Sequence, residues 1–195
     1  MKPRDDGPKK DTDPAGPAGP VGDENSDIGW RYLIAADTLA EDGLSLDLEA
    51  PSSSSQSIAM RLSVPGVKSL RGRLQLSRFG AGIRVVGDVD AEVTRQCVAS
   101  LEPMEERVRE RFTVLFVPAE DVASYDEETE LDVDALQQGS VDLAELLIQQ
   151  VALGMEPYPR RADAEDLIAA YGQEAAPSPF SVLKGIVASP KDAKN

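Results

Sequence analysis

Three kinds of side chain in this chain could carry chemistry: one thiol, a crowd of carboxylates and a set of arginines. The thiol is Cys97, the only cysteine among 195 residues. It stands two positions after Arg95, and a nearby guanidinium lowers a thiol's pKa and makes it more nucleophilic. On the plainer reading, a lone cysteine at a strand end is a small packed side chain. The carboxylates are Asp126, Glu127, Glu128, Glu130, Asp132 and Asp134, crowded into the acidic stretch from Glu120 to Asp134. Such a cluster can hold Ca²⁺, but the spacing of a calcium loop and its central glycine are missing, and an acidic loop is the better reading. The arginines are Arg71, Arg73, Arg84, Arg107, Arg109 and Arg111, with Lys68, Arg78 and Arg95 nearby. They form a basic neighbourhood that either reads acidic ligands and RNA or is a solvated face offset by Asp88, Asp90, Glu92, Glu105, Glu106 and Glu110.

Much chemistry is excluded outright. The chain has no histidine, so Ser/His/Asp and Cys/His arrangements cannot be assembled, and the commonest metal ligand is missing. One cysteine excludes an internal disulfide. Gly80-Ala81-Gly82 lacks the third glycine and the following helix of a phosphate-cradling loop. A carboxylate-pair enzyme stays formally open without positive support, so the expectation is a protein that is not an enzyme and uses no cofactor. The formal net charge is -15. Phosphate backbones are attracted by Lys and Arg, so this balance speaks against nucleic acid and is read first as solubility; if the charge does function, the expected partner is basic, for example a ribosomal protein. No apolar run is long enough to span a bilayer and the first residues lack a signal-like apolar core, so a cytoplasmic, soluble protein without membrane or small-molecule partners is expected.

The elements that must position these residues follow from periodicity. Met1 to Ser26 is proline- and glycine-rich with almost no large apolar side chain, which predicts a disordered tail over 1–27. Trp30, Tyr32 and Ile34 alternate with Arg31, Leu33 and Ala35, predicting a first strand. Leu44, Leu46 and Leu48 alternate with Ser45, Asp47 and Glu49, predicting a second after the Glu41-Asp42-Gly43 turn. Ser55 to Leu62 fits a short helix N-capped within the serines, or else the serine run is a linker. From Val67 to Val117 the period is two throughout, giving a three-stranded antiparallel meander with a turn at Phe79-Gly80-Ala81-Gly82. In its last hairpin, Val85, Val89, Ala91 and Val93 share one parity, and Val108, Phe112, Val114 and Phe116 another. A register slip by one residue would expose both sets.

Asp142 fits the N-cap of a helix with Glu145 as the reciprocal partner of a capping box, and Leu143, Leu146, Leu147, Val151 and Gly154 mark its buried face. Pro157-Tyr158-Pro159 prevents its continuation. A weaker helix is expected over Asp163 to Tyr171. Ser178 and Pro179 fit the start of a C-terminal helix that places Phe180, Leu183 and Ile186 near one face, for docking on the domain or into a partner's groove. The expected architecture is α+β: a twisted or partly closed antiparallel sheet with a packed helix and a C-terminal helix. It forms one domain over 28–188, with an acidic loop at 120–139 and a flexible end at 189–195.

Three motifs in order resemble the DUF177, or YceD, family. They are Cys97-Val98-Ala99-Ser100-Leu101-Glu102-Pro103, the helix start Val141-Asp142-Leu143 leading to Pro157-Tyr158-Pro159, and Pro177-Ser178-Pro179-Phe180-Ser181-Val182-Leu183. The resemblance covers about Trp30 to Ile186. It marks Cys97, Leu101, Pro103, Asp142, Leu143, Pro157, Pro179, Phe180 and Leu183 as motif residues. It implies a ribosome-biogenesis factor supporting accumulation of large-subunit (23S) ribosomal RNA, whose partner is ribosomal precursor RNA or a basic large-subunit ribosomal protein. Where many members carry a second cysteine this chain has Ser100, and the further cysteines some members keep after the long helix are absent. A four-cysteine metal site cannot be built from one thiolate and no imidazole. The rival from another class is a metal-dependent RNA hydrolase using Asp126, Glu127 and Glu128.

Overall fold

The computed structural model describes residues 29–125, 132–164 and 169. Among them the strands are β1 (Leu33–Ala35), β2 (Leu44–Glu49), β3 (Gly66–Phe79), β4 (Gly82–Gln96), β5 (Pro103–Val117), β6 (Asp132–Ala135) and β7 (Ser140–Asp142). The helices are α1 (Ser55–Leu62) and α2 (Leu143–Gly154). By contact density the chain divides into two compact units. Of the described residues, one unit holds those from 29 to Thr94 and from Glu105 to Met155, and the other holds Arg95–Met104 together with 156–164 and 169.

The first unit is built on an open five-stranded sheet in the order β2-β3-β4-β5-β6, beside a two-stranded ladder of β1 and β7. The meander forms as its periodicity predicts. Leu70, Leu74 and Leu76 of β3, Val85, Val89, Ala91 and Val93 of β4, and Val108, Phe112 and Val114 of β5 are all buried. Most of their neighbours of opposite parity face water, which is the pattern of a sheet covered on one side; Leu115 and Val117, at the end of β5, are buried as well. Gly80, in the left-handed region at φ 58°, opens the two-residue turn joining β3 to β4. Such turns match the twist of paired strands.

Helix α2 packs on the core face, as does α1 with Ile58, Ala59 and Leu62. Leu143, Leu147, Ile148 and Val151 are essentially inaccessible to water, and each contributes roughly 1.5–3 kcal/mol by leaving it. Leu147 lies so close to β3 that a Cβ on Gly72 would stand 2.3 Å from its Cδ2. Glycine at 72 is what lets helix and sheet approach. The N-cap forms at Asp142, whose Oδ1 accepts from the Ala144 N–H at 3.1 Å and from the Tyr32 N–H at 3.0 Å. The reciprocal half of a capping box does not form, because Glu145 Oε1 turns to Arg61 Nη2 at 2.6 Å.

The α+β architecture is as expected, with the sheet open rather than partly closed, since β2 and β6 are edges without each other's hydrogen bonds. Three features differ from expectation. The acidic stretch is not loop throughout: Asp132–Ala135 pairs with Val114–Val117 as the one parallel partner of an otherwise antiparallel sheet. Ser140–Asp142 is a strand paired with β1 before it becomes a helix start. The helix over Ser55–Leu62 is present, but Ser54 at its N-cap makes no side-chain cap. Its hydroxyl donates instead to the Gly29 carbonyl at 3.0 Å, a contact 25 residues away that local propensity does not foresee. The tail over 1–27, the carboxylates Asp126, Glu127, Glu128 and Glu130, and the motif residues Pro179, Phe180 and Leu183 lie outside the described residues, as does most of the second helix expected from Asp163.

Candidate functional site

The expected arginine face exists as a surface of the first unit. Arg71 and Arg73 on β3 and Arg107, Arg109 and Arg111 on β5 project from the side of the sheet opposite the core. Each is met by a carboxylate from a neighbouring strand. Arg73 Nε reaches Asp47 Oδ1 at 3.2 Å, and Arg71 Nη2 reaches Glu49 Oε1 at 2.9 Å. In the same two rows β4 contributes Asp88 opposite Arg73 and Asp90 opposite Arg71. Arg111 Nε donates to Asp88 Oδ1 at 2.8 Å. Asp90 is held by both nitrogens of the Arg107 fork, at 2.9 and 2.6 Å, and by Arg109 Nε at 3.1 Å.

The hydrogen bonds from Arg107, and then those from Arg109, hold the Asp90 carboxyl below its ordinary value against the opposing pull of desolvation. Asp90 and Asp88 in turn push Arg107 and Arg111 upward. Five arginines therefore meet four carboxylates, with charge alternating strand by strand from β2 to β5. A trough of about 570 Å³ opens along these rows, but its guanidinium groups are already engaged. Arg84 is the exception: it is exposed, lies opposite Ser77, and makes no ion pair with a described residue. The arrangement is a solvated ion-pair ladder in which each exposed pair contributes about 0–1 kcal/mol.

A second cavity of the same unit, about 460 Å³, is lined by Trp30, Phe116, Asp134 and Glu145 among others. Its Arg31 is tied to Asp142 Oδ2 at 3.3 Å. That contact adds an electrostatic role to the capping residue which periodicity alone had not marked.

The second unit contains the cysteine turn. Cys97 N–H donates to the Glu102 carbonyl and Leu101 N–H to the Cys97 carbonyl, both at 2.9 Å. The Gln96 side-chain amide closes on the Leu101 carbonyl at 2.8 Å. Leu101 takes the left-handed conformation, φ 60°, uncommon for a residue with a branched side chain. The segment after α2 clasps this turn. Val98 N–H donates to the Pro159 carbonyl at 3.0 Å, and Arg161 N–H points at Cys97 Sγ at 3.5 Å. The Arg161 guanidinium binds Glu102 and forks onto Asp163 at 3.0 and 3.1 Å.

The Cys97 thiol is buried. Its pKa is pulled down to about 7, first by the Ser100 side chain, then by the Arg161 N–H and the Ser100 N–H, while burial opposes them. The adjacent guanidinium read from the sequence, Arg95, has another task and donates to the Glu156 carbonyl at 3.1 Å. The thiol is shifted as a nearby arginine would shift it, but by a hydroxyl and backbone dipoles. Of the motif residues, Pro103 starts β5 and is exposed, Leu101 and Pro157 are exposed, and Asp142 and Leu143 form the start of α2. Sequence reasoning missed Arg161, which lies 64 residues from Cys97. No group of three or more Cys, Asp or Glu side chains able to hold a metal ion is found among the described residues.

The fold is α+β: one unit is a sheet with an ion-paired outer face, and the other holds a clasped cysteine turn. Residues 85–186 match the model of the family described as large ribosomal RNA subunit accumulation protein YceD, and the chain belongs to that family. The match begins inside β4, so β1, β2, α1 and β3 lie before it. No curated protein and no solved structure matches the chain. No helix among the described residues is long and apolar enough to cross a membrane.

Proposed function

We propose that this chain is a non-catalytic ribosome-biogenesis factor that works in the cytoplasm. It supports accumulation of large-subunit (23S) ribosomal RNA by binding a basic ribosomal protein. Family membership supports the link to large-subunit RNA. The choice of a protein partner over precursor RNA rests on one observation, the pairing of Arg71, Arg73, Arg107, Arg109 and Arg111 with carboxylates. RNA binding draws on unpaired Lys and Arg, which displace the counterions condensed on the phosphate backbone and gain affinity from their release. Here that face is balanced within a chain of net charge -15, an electrostatic setting suited to a cationic protein.

The test is a native pull-down of tagged protein from its own cells, with and without RNase. The expected result is a basic large-subunit protein that stays bound after RNase, together with reduced 23S RNA in a strain lacking the gene. Loss of every partner with RNase would replace this reading with direct RNA binding. Specific cleavage of precursor RNA in Mg²⁺, abolished by changing Asp126, Glu127 and Glu128, would replace it with an enzyme.

A further inference from the structure

Strand β2 is an edge of the open sheet. Its inner side pairs with β3 from Leu44↔Leu76 to Glu49↔Arg71. Among the described residues no backbone group of 44–49 bonds to anything on the outer side. A row of unpaired N–H and C=O groups is a template for one more strand. Both faces of the edge are unfinished. On the core side Leu44, Leu46 and Leu48 are only partly buried. On the outer side the Asp47 and Glu49 side chains are 83% and 62% exposed, each giving one oxygen to an arginine of β3 and leaving the other unbonded.

Charge complementarity says what belongs there. From β5 outward the upper row reads Arg111, Asp88, Arg73, Asp47, and the lower reads Arg107, Asp90, Arg71, Glu49. Each row alternates and each ends on a carboxylate at the edge. The strand that continues the alternation carries Lys or Arg opposite Asp47 and Glu49, with apolar side chains of the other parity over the leucine row. A second copy of this chain paired through β2 would set carboxylate against carboxylate, which destabilises directly opposed pairs. The same two acids therefore repel self-association and select a cationic strand.

We propose that the β2 edge is a strand-addition site for an extended segment of a basic protein in which cationic and apolar residues alternate. Main-chain hydrogen bonds supply affinity and the two acids supply selection. This rests on the functional reading above and gives it a place on the molecule.

The experiment titrates the full chain with a short peptide alternating lysine and valine, and with its glutamate–valine counterpart, while following backbone amide exchange. The lysine peptide is expected to bind and to slow exchange of the β2 amides that are unprotected in the free chain, and the glutamate peptide is not. In the double variant Asp47→Lys, Glu49→Lys, affinity for the lysine peptide falls about tenfold, as reversing two cross-strand pairs would produce, and the glutamate peptide gains. Absence of lysine-peptide binding, equal affinity in the variant, protection at β6 instead, or β2 amides already protected in the free chain would each overturn the site. A cellular partner that survives RNase and is retained equally by the variant overturns the site while leaving the functional reading intact. Charge-selective protection of β2 without any such cellular partner overturns the functional reading and not the edge.

Discussion

In the sheet unit Leu70, Leu74, Ile83, Val85, Leu143 and Leu147 have lost essentially all contact with water. In the described part of the cysteine turn only Cys97, Pro159 and Ala164 are buried. The first region is held by many overlapping apolar contacts, each small and none indispensable except where volume is tight. The second is held by a handful of hydrogen bonds that converge on Cys97 and Arg161, each worth about 1 kcal/mol net. The difference teaches where the chain tolerates change. The sheet resists polar and surface substitution but not altered volume, and the turn has the opposite sensitivity.

The hardest blow to the sheet is Leu147→Ala. It removes a fully buried side chain seated against Gly72, and urea unfolding should show a loss of about 2–5 kcal/mol. Asp142→Ala comes next. It leaves the Ala144 and Tyr32 N–H groups without their acceptor and removes the Asp142 contact of Arg31. A cost of about 1–3 kcal/mol is expected in the same assay. Little or no loss in Leu147→Ala would break the contrast between the regions, while Asp142, with three partners on one side chain, is the sheet unit's exception to its tolerance of polar change.

In the turn the effect is smaller and depends on pH. The thiol's folded pKa of about 7 lies below its ordinary value of 9.0, so the folded state favours the thiolate. The resulting stability is fully present above the ordinary value, and it is lost as pH falls through about 7. Stability of the native chain relative to Cys97→Ala should therefore rise across that window. In Ser100→Ala the rise should shrink and the thiolate's ultraviolet absorbance should appear at higher pH. A flat profile would remove the hydroxyl from the account. Smallest of all, Arg111→Ala breaks one exposed pair on the sheet's outer face. It should change stability by less than about 1 kcal/mol, and salt should shrink the change further.

What was legible in advance divides along the same line. Period-two alternation is local, so β2, the meander and the buried parity of Val85, Val89, Val108 and Phe112 followed from neighbouring residues alone. The seat of Asp142 was legible because capping is also local. Strand β6 was not, because Asp-Val-Asp-Ala reads as acidic loop until Val114–Val117 offers it a parallel edge. The arginine face was legible as a cluster, but its pairing was not, since Asp90 finds Arg107 and Arg109 only once β4 and β5 are side by side. The cysteine turn was recognised by motif while its partners were missed, because nothing near Cys97 announces Arg161.

The two-residue turn at Gly80 and Ala81 has a consequence for the order of assembly. It joins strands of 14 and 15 residues, so their ladder can zip from a closure whose entropy is as small as a chain permits. The Tyr32–Asp142 bond spans 110 residues and must wait for a far larger closure. Hairpins form within about 1–10 μs, and contacts of such separation are what slow a fold. The order expected from these separations is the β3–β4 hairpin first and the ladder of β1 with β7, which sets the start of α2, last; high φ-values in the hairpin and low ones in the ladder would show it.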